Sequence, residues 1–325
     1  MMLFRGNKPV FFFRHAAVAA AGQGGSRPGR GAGNAGQDDP GKENARLSGH
    51  PGYLPNAKLD ALKLFHSVHG DVEQERLVAL NSPMREIVRE GDKVVCVYLD
   101  SNEVIVDHRP ARQSFLFDFP EDLQELNKYY LFVLGKKEKI ALLPAQRISI
   151  VPRDDFRYGG RVWISLENFL PLKYQLLNDA GIAIEQVVFT EVQLDSAMPH
   201  SDIQALVTAD NAQTRHIHRL TNLPFAEASF ILENVPAGFR KTFFARRKMH
   251  NREAHVEHLL LSDGFAAVSV YLEKKAQKLQ SGFKTTGSTN FYTRDVDDFQ
   301  VTVMGEVPAK TVKFIAEGVV LKDQQ

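Results

Sequence analysis

The chain has 325 residues, of which 43% are hydrophobic, so it exceeds the usual size of one core and predicts about two domains. Its 40 basic and 39 acidic residues leave a formal net charge of +1, which argues against the broad positive field of nucleic-acid-binding proteins. Cys96 is the single cysteine, so neither an internal disulfide nor a cysteine-based zinc site can form.

The first 52 residues predict a disordered, low-complexity leader. MMLFRGNKPVFFFRHAAVAAAGQGG places a charge before an apolar run and small residues, which is a weak form of a secretory signal, interrupted by Arg14 and His15. Residues 20–49 are mostly Gly, Ala, Arg, Asn, Gln and Pro, a composition that cannot offset the entropy of ordering. No apolar run approaches the roughly 20 residues of a membrane-spanning helix, and none is predicted.

Residues 53–198 predict mainly strands. MREIVREGDKVVCVYLDSNEVIVDH holds three alternating runs separated by turn residues, as in an antiparallel meander. In PEDLQELNKYYLFVLG, Leu123, Leu126 and Tyr130 have helical spacing after Pro120, which predicts a helix. Strands resume in RISIVP and RVWI, and PLKYQLLNDAGIAIEQVVFTEVQL predicts a hairpin turning at NDAG. Roughly eight or nine strands with one or two helices predict a strongly curved or barrel-like sheet.

The rest of the chain predicts a linker and a small α+β domain. Residues 199–224 are polar and hold few branched apolar side chains, so they predict a linker. Within 225–322, AHVEHLLLSDGFAAVSVYLEKK predicts a hairpin about Asp263 and Gly264, and FQVTVMGEVP predicts another strand. AKTVKFIAEGVVL, with Val312 and Ile315 on one face, predicts a closing helix.

The segment PRDDFRYGGRVWI, residues 152–164, is the first candidate site. Adjacent residues of a strand point to opposite faces, so Asp154 and Asp155 are interpreted as turn residues that accept backbone N–H bonds rather than as a catalytic pair. Glycines next to Arg157, Tyr158 and Trp163 mark a bulge or a close backbone approach. A scaffold hairpin is favoured over a ligand site, and Arg157 is the residue least expected to be idle.

No catalytic, cofactor or metal site is predicted. The sequence contains no GxSxG, GxGxxG or GxxxxGK[ST] motif. The pairs His66 with His69 and His255 with His258 fall on opposite faces of a strand, which does not suit a metal. An enzyme that uses Asp155, His258 and Ser262 remains a weak alternative.

A basic stretch with interleaved aromatics, GFRKTFFARRKMHNR, is the second candidate site. Such a pattern can meet lipid phosphates, an acidic protein segment or nucleic acid, and the near-neutral total charge makes nucleic acid the least suitable. A solvated strand face explains it equally well. The candidate partner- or lipid-binding residues of both segments are Arg157, Tyr158, Trp163, Arg240, Lys241, Arg246, Arg247 and Lys248.

Several stretches together resemble the MucB/RseB family of periplasmic sigma-E regulatory proteins. HSVHGDVEQERLVALNSPMREIVREGDKVVCVY resembles its N-terminal pattern, PRDDFRYGGRVWI its P-x-D-x-Y-R-Y-G-Y-x-L-W-L hairpin, and EQVVFTEV the strand that follows. NVPAGF, LSDGFAAVSVYLE and VTVMGEVPAKTV are similar to its P-x-G-F, S-D-G and G-E-V-P motifs. The order and spacing match over about residues 55–322. The residues that carry the motifs are Glu75, Arg76, Leu77, Arg85, Glu86, Arg89, Gly159, Pro236, Gly238, Phe239, Ser262, Asp263, Gly264, Gly305, Glu306 and Pro308.

The resemblance implies a mainly β, α+β protein with a large half-open antiparallel β-barrel, similar to lipoprotein carriers, and a smaller α+β C-terminal domain. It implies a periplasmic protein, without a cofactor, that binds the periplasmic part of a membrane anti-sigma factor and shields it from a protease. Lipid or lipopolysaccharide would release it. A periplasmic lipid or lipoprotein carrier is the alternative, and a homo-oligomer stays open.

The sequence departs from the family pattern at three places. Gly/Arg-rich residues replace the usual signal peptide and first strand, IALLPAQRI replaces a Gly-Arg pair, and Phe230 stands where a tryptophan is usual. Without its first strand, a barrel would expose a strand edge.

Overall fold

The computed structural model describes residues 45–48, 62–69, 72–79, 85–90, 93–98, 103–108, 123–167, 169–189, 191–194, 214–219, 222–248, 255–275 and 281–322. The strands are β1 Ala45–Ser48, β2 Leu62–His69, β3 Val72–Ala79, β4 Arg85–Glu90, β5 Lys93–Tyr98, β6 Glu103–His108, β7 Tyr130–Ile140, β8 Leu143–Pro152, β9 Gly159–Ser165, β10 Pro171–Leu177, β11 Ala183–Val188, β12 Glu191–Leu194, β13 Thr214–Arg219, β14 Phe230–Leu232, β15 Arg240–Lys248, β16 His255–Ser262, β17 Ala267–Lys274, β18 Gly282–Thr286, β19 Thr289–Val296, β20 Phe299–Gly305 and β21 Val319–Leu321. The helices are α1 Leu123–Leu126 and α2 Ala309–Glu317, with a 3-10 turn at Phe225–Glu227.

The first large sheet has six strands in the order β13-β6-β5-β4-β3-β2. Strands β2 to β6 pair antiparallel as a meander, so the three strands predicted for residues 84–108 are confirmed. The exception to antiparallel pairing is β13, which runs parallel to β6. This strand lies inside the segment for which a linker is predicted.

The five-stranded sheet has the order β11-β10-β9-β8-β7 and is antiparallel throughout. Its β10–β11 hairpin turns at Asn178, whose side-chain oxygen accepts hydrogen bonds from the N–H groups of Ala180 and Ile182, as the sequence predicts. One apolar cluster joins this sheet to the six-stranded sheet, with Leu77 and Ile87 packed together with Ile148 and Ile164. Burying this shared face holds the two sheets together.

The helix predicted after Pro120 is much shorter than its apolar spacing indicates. α1 ends at Leu126, and Tyr130 begins β7. Tyr130 is buried and donates a hydrogen bond to Asp263, which lies 133 positions later in the chain. This long-range contact overrides the local helical spacing.

The third large sheet, called the C-terminal sheet below, has the order β15-β16-β17-β20-β19-β18. α2 covers one face of it, where Val312 and Ile315 pack against Val301 and Val303. The predicted hairpin at Asp263 and Gly264 is confirmed by the β16–β17 pairing. The closing helix ends at Glu317, because Val319–Leu321 pairs with β14 as a strand instead of continuing it.

The fold class predicted from the sequence, mainly β with antiparallel sheets and few helices, is therefore confirmed. A two-stranded pair of β1 and β12 lies partly within the segment for which disorder is predicted, and residues 1–44 of that segment lie outside the described residues. Within the described ranges, no helix is both long and apolar enough to cross a membrane.

Candidate functional site: the junction around Arg157

Arg157 lies in the bend between β8 and β9, where the five-stranded sheet meets the C-terminal sheet. The Oδ1 atom of Asp154 accepts a hydrogen bond of 3.0 Å from the N–H of Phe156, so the predicted turn at Asp154 and Asp155 is confirmed. Gly160 follows in β9, and a Cβ there would lie 3.3 Å from the ring of Tyr174. From this bend the side chain of Arg157 reaches Asp263 in the β16–β17 turn and Ala237 before β15.

The guanidinium of Arg157 connects three separate segments. Its Nε donates to the Oδ2 of Asp263 at 2.6 Å, and neither side chain has any exposed surface. Its Nη1 donates to Asp154 and its Nη2 to the carbonyl of Ala237. A planar fork of fixed donors suits this arrangement better than the single ammonium group of lysine. We call this set of contacts, with the residues around it, the Arg157 junction.

Aromatic rings enclose the same guanidinium. The Cζ atom of Arg157 lies 4.9 Å from the ring centroids of Tyr129 and Phe239 and 5.7 Å from that of Tyr130. Stacking of this kind stabilises a cation that has lost its water. Gly238 has a φ of +90°, and a Cβ there would lie 2.7 Å from the ring of Tyr129. The P-A-G-F motif therefore needs glycine so that the loop can approach Tyr129.

Asp263 is the acceptor at the centre of the junction. Its Oδ2 accepts from Arg157 and, at 2.8 Å, from the hydroxyl of Tyr130. Its Oδ1 accepts from the N–H groups of Phe265 and Ala266 at 2.9 and 2.7 Å. The buried carboxylate thus receives four hydrogen bonds, which offset its desolvation.

Burial and the Asp263 carboxylate shift the pKa values of Arg157 and Tyr130. Burial by itself would lower the pKa of Arg157, but the charge and hydrogen bond of Asp263, followed by Tyr130 and Asp154, act in the opposite direction, and the net effect raises that pKa. Burial raises the pKa of Tyr130 well above its usual range, and the charge of Asp263 raises it further. Tyr130 therefore stays a hydrogen-bond donor.

Ser262 belongs to the same turn and has a structural role. Its Oγ donates to the carbonyl of Ala266 at 3.0 Å and accepts from the N–H of Gly264 at 3.0 Å. Gly264 has a φ of +104°, a conformation that L side chains rarely adopt. The S-D-G motif is a turn that presents Asp263 to Arg157.

A second polar cluster joins the same two sheets beside Tyr158. The Nδ2 of Asn290 donates to the Tyr158 hydroxyl at 2.9 Å and to the Val307 carbonyl at 2.8 Å. The Oγ of Ser288 lies 2.5 Å from the Oε2 of Glu185 and 3.4 Å from the Oε1 of Glu306. Burial raises the pKa of Glu306 well above its usual range, and the charge of Glu185 raises it further. A hydroxyl has one proton to donate, so the two carboxyl groups compete for it.

The first turn of α2 completes the junction. The Oγ1 of Thr311 donates to the Phe156 carbonyl at 2.9 Å, and the rings of Phe156 and Phe314 lie 5.0 Å apart. Lys310 forms an ion pair with Asp155. Residues from four motif segments, PRDDFRYGG, PAGF, SDG and GEVP, therefore meet at one place.

Trp163 does not belong to the junction. It is buried on β9 with Ala145 and Leu172. Its Nε1 donates to Glu138, and the Nζ of Lys173 lies 4.6 Å above its ring. The structure brings together Arg157 and Tyr158 but not Trp163.

The central part of the basic stretch forms β15. Arg240 and Lys241 are exposed, and Arg240 pairs with Glu125 at 2.9 Å. The Nε of Arg246 donates to Glu257 at 2.7 Å. The side chains of Arg247 and Lys248, like that of Arg85, lie outside the described residues.

The motif residues of β3 and β4 form buried ion pairs away from the junction. Arg76 bonds Glu86 at 2.7 Å, and Arg89 bonds Glu75 at 3.1 Å. Leu77 is 1% exposed and belongs to the shared core of the two N-terminal sheets. These residues stabilise the scaffold rather than form a site.

Sequence reasoning missed Tyr129, Tyr130, Glu185 and Asn290. The two tyrosines are adjacent in a segment whose spacing predicts a helix. Glu185 begins the EQVVFTEV stretch, where it is not singled out, and Asn290 stands in an otherwise ordinary strand. Tyr129, Tyr130 and Asn290 carry no local pattern that marks them as long-range partners. Within the described residues, no group of three or more His, Cys, Asp or Glu side chains could hold a metal ion.

The chain matches two family models, the MucB/RseB N-terminal domain over residues 50–207 and the MucB/RseB C-terminal domain over residues 224–320. It is 28% identical to the sigma-E factor regulatory protein RseB of Salmonella typhimurium over 273 residues, 80% of this chain and 81% of that protein. It is 26% identical to the sigma factor AlgU regulatory protein MucB of Pseudomonas aeruginosa, over 81% of this chain and 82% of that protein.

Solved structures are similar to it in fold. The crystal structure of MucB in complex with MucA(peri) aligns with a TM-score of 0.65 at 23% identity, covering 88% of this chain and 96% of MucB. The Pseudomonas aeruginosa MucA/MucB complex gives a TM-score of 0.66 over the same shares. Two adjacent family models that together span most of the sequence, with the junction built from the motif residues, establish that this chain belongs to the MucB/RseB family.

Proposed function

We propose that this protein is a periplasmic, non-enzymatic regulator of an envelope-stress sigma factor. It binds the periplasmic segment of a membrane anti-sigma factor and protects that segment from proteolysis. The observation that carries the proposal is the junction itself, where the family-motif residues serve to hold two β-rich units together. Relatives named as sigma-factor regulators, and a MucB relative solved with MucA(peri), support the choice of partner.

The domain arrangement we propose is a half-open β-barrel over residues 53–198, a linker over 199–224 and an α+β domain over 225–322. Strands β2 to β6 and the five-stranded sheet, with their shared apolar cluster, would form the barrel, and β13 from the linker segment pairs with β6 at the edge of its sheet. Its apolar interior is where we expect acyl chains of lipid or lipopolysaccharide to bind.

Regulation would follow from linkage. If lipid and the anti-sigma segment prefer different arrangements of the two units, each weakens the binding of the other by the same factor, typically about 5- to 150-fold. The junction is suited to such a two-state element, because separating Arg157 from Asp263 while they remain buried would leave each charge without its counter-ion. Partly open states are therefore disfavoured.

The roles of the candidate residues follow from their exposure. Arg157 is 1% exposed, so it can meet a partner only after the junction opens, and we assign it and Tyr158 to holding the closed arrangement. Arg240 and Lys241 are exposed, and we propose that they contact acidic groups of the partner. Arg246 is already paired with Glu257, so we propose that it contributes less to binding of the partner.

The proposal is tested by immobilising the periplasmic anti-sigma segment and measuring binding of the full chain with and without lipopolysaccharide. We expect binding that lipopolysaccharide weakens, and slower cleavage of the bound segment by protease. The pair of substitutions Arg240→Gln and Lys241→Gln should weaken binding severalfold at low salt, whereas Lys313→Gln, exposed on α2, should not. A chain that retains lipid yet ignores the segment would be a lipid or lipoprotein carrier instead.

A further inference from the structure

One end of the five-stranded sheet presents apolar side chains to solvent. The β7–β8 turn at residues 141–142 and the described residues of the β9–β10 connection, 166–167 and 169–170, lie together there, because the N–H of Leu166 donates to the Pro144 carbonyl at 2.8 Å. Leu142 is 91% exposed, Leu166 41% and Phe169 37%. We call these three residues the apolar tip. It lies at the opposite end of β8 and β9 from the Arg157 junction.

The backbone at the apolar tip adopts a conformation that apolar residues rarely take. Ala141, Leu142 and Phe169 have φ values of +50°, +66° and +60°. Two-residue hairpin turns of this kind favour Asn and Gly. The fold itself gains little from a leucine that is almost wholly exposed at such a position. Contact with an apolar phase outside the protein would remove the Leu142 side chain from water, which is favourable.

The segments that lead into the apolar tip are rich in cationic residues. Residues 134–147 and 163–173 contain Lys136, Lys137, Lys139, Arg147 and Lys173 against Glu138 and Glu167, which is five positive charges less two negative ones, or +3. The formal charge of the whole chain is only +1. Lys136, Lys137 and Lys139 are exposed along β7. Lysines behind an apolar projection can reach lipid phosphates while the projection enters the acyl region.

We propose that this end of the five-stranded sheet docks onto the surface of an anionic lipid bilayer. Leu142, Leu166 and Phe169 insert at the boundary of headgroups and acyl chains, and the lysines of β7 contact phosphates. A convex tip fits a deformable surface, whereas bound peptides are usually received in grooves or along strand edges. The inference goes beyond the proposed function, since it concerns an outer surface rather than the barrel interior, and it does not depend on the anti-sigma partner.

The test is co-sedimentation of the full chain with vesicles of phosphatidylglycerol and phosphatidylethanolamine. Leu142→Asn removes the apolar side chain and suits the left-handed backbone, so it should leave the unfolding midpoint unchanged or raise it. It should lower vesicle partition about tenfold, in line with the transfer of a leucine side chain from water. The pair Lys137→Gln and Lys139→Gln should weaken binding and reduce its salt dependence.

A matched control lies at the other end of the same sheet. Ile182 is 61% exposed in the β10–β11 turn, and Ile182→Asn should leave partition unchanged. A dispersed short-chain lipid should bind the Leu142→Asn variant as well as the unmodified chain, which separates docking from uptake in the barrel interior.

Several results would overturn the proposal. One is that the Leu142→Asn variant partitions onto vesicles as strongly as the unmodified chain. A second is that Ile182→Asn lowers the partition as much as Leu142→Asn does. A third is that the unmodified chain binds uncharged phosphatidylcholine vesicles as strongly as the anionic ones. A fourth is a loss of self-association by Leu142→Asn in sedimentation velocity without vesicles, since the tip would then join copies of the chain.

Discussion

At the scale of single residues, Arg157 has the largest expected effect on stability. All three of its donor nitrogens are bonded, and its partner Asp263 has no exposed surface. Removing one member of a buried pair leaves the other charge without its counter-ion, which typically costs about 3–5 kcal/mol. We expect Arg157→Ala to lower the free energy of unfolding in urea by that amount.

Arg240→Gln is the control for this prediction. Its side chain is 70% exposed and pairs with Glu125 of α1. Exposed pairs contribute about 0–1 kcal/mol, so the variant should unfold close to the unmodified chain. A loss below about 1 kcal/mol for Arg157→Ala would show that the junction is not closed in solution.

At the scale of elements, alternating apolar residues with turn residues between them predict hairpin strands and their local pairing, but not pairing between strands distant in sequence. β4 to β6, the β10–β11 hairpin and the β16–β17 hairpin follow local patterns and turn residues, and all are confirmed. The helix predicted after Pro120 is too long, because Tyr130 is held in β7 by a partner in the C-terminal sheet. β13 escapes prediction because its segment is polar and its parallel pairing with β6 depends on a distant strand.

Local sequence patterns are likewise insufficient to predict which residues meet at the candidate site. A sequence pattern indicates that Arg157 is not idle, yet Asp263 lies 106 positions away. The motifs of the family mark the right segments, but only the assembled sheets reveal that those segments meet. The partners that lack a motif, such as Tyr129 and Asn290, could not be found from one sequence.

The loop before β15 packs closely against Tyr129, so its stability should depend on the glycine at position 238. Gly238 combines a positive φ with a close approach to Tyr129, whereas Gly181, with a φ of +72°, has nothing within 4 Å of the position that a Cβ would take. Both Gly→Ala changes carry the left-handed strain of about 1–3 kcal/mol. Gly238→Ala should cost about 1–3 kcal/mol more from overpacking, measured by urea unfolding. Equal losses for the two variants would contradict the close approach.

At the scale of the whole molecule, the cluster of Glu185, Ser288 and Glu306 makes the contact between the two sheets depend on pH. Burial, and then the charge of Glu185, raise the pKa of Glu306 well above its usual range. Between the unfolded pKa of about 4.3 and the higher folded value, the folded state binds more protons than the unfolded state. The free energy of unfolding contributed by Glu306 therefore falls as pH rises through that window.

The pKa shifts of the neighbouring groups do not reverse the fall in the free energy of unfolding with rising pH. Burial raises the pKa of Tyr174, and Glu306 and Glu185 raise it further, so that its phenol stays neutral. Burial likewise raises the pKa of Tyr158, which Asp179 also raises. The hydrogen bond from Lys310 lowers the pKa of the exposed Asp155, so the stability that Asp155 contributes is lost only at more acid pH.

Glu306→Gln tests this pH dependence directly. The amide keeps the shape, cannot ionise and can donate a hydrogen bond to Glu185, so the variant should have a higher Tm than the unmodified chain at pH 8. The difference should shrink as the pH is lowered and Glu306 takes up its proton, when thermal unfolding is followed from pH 8 to pH 5. Glu317→Gln on the exposed side of α2 should leave the slope unchanged. If Glu306→Gln and the unmodified chain lose stability in parallel as pH rises, Glu306 is not the group that titrates at the contact between the two sheets.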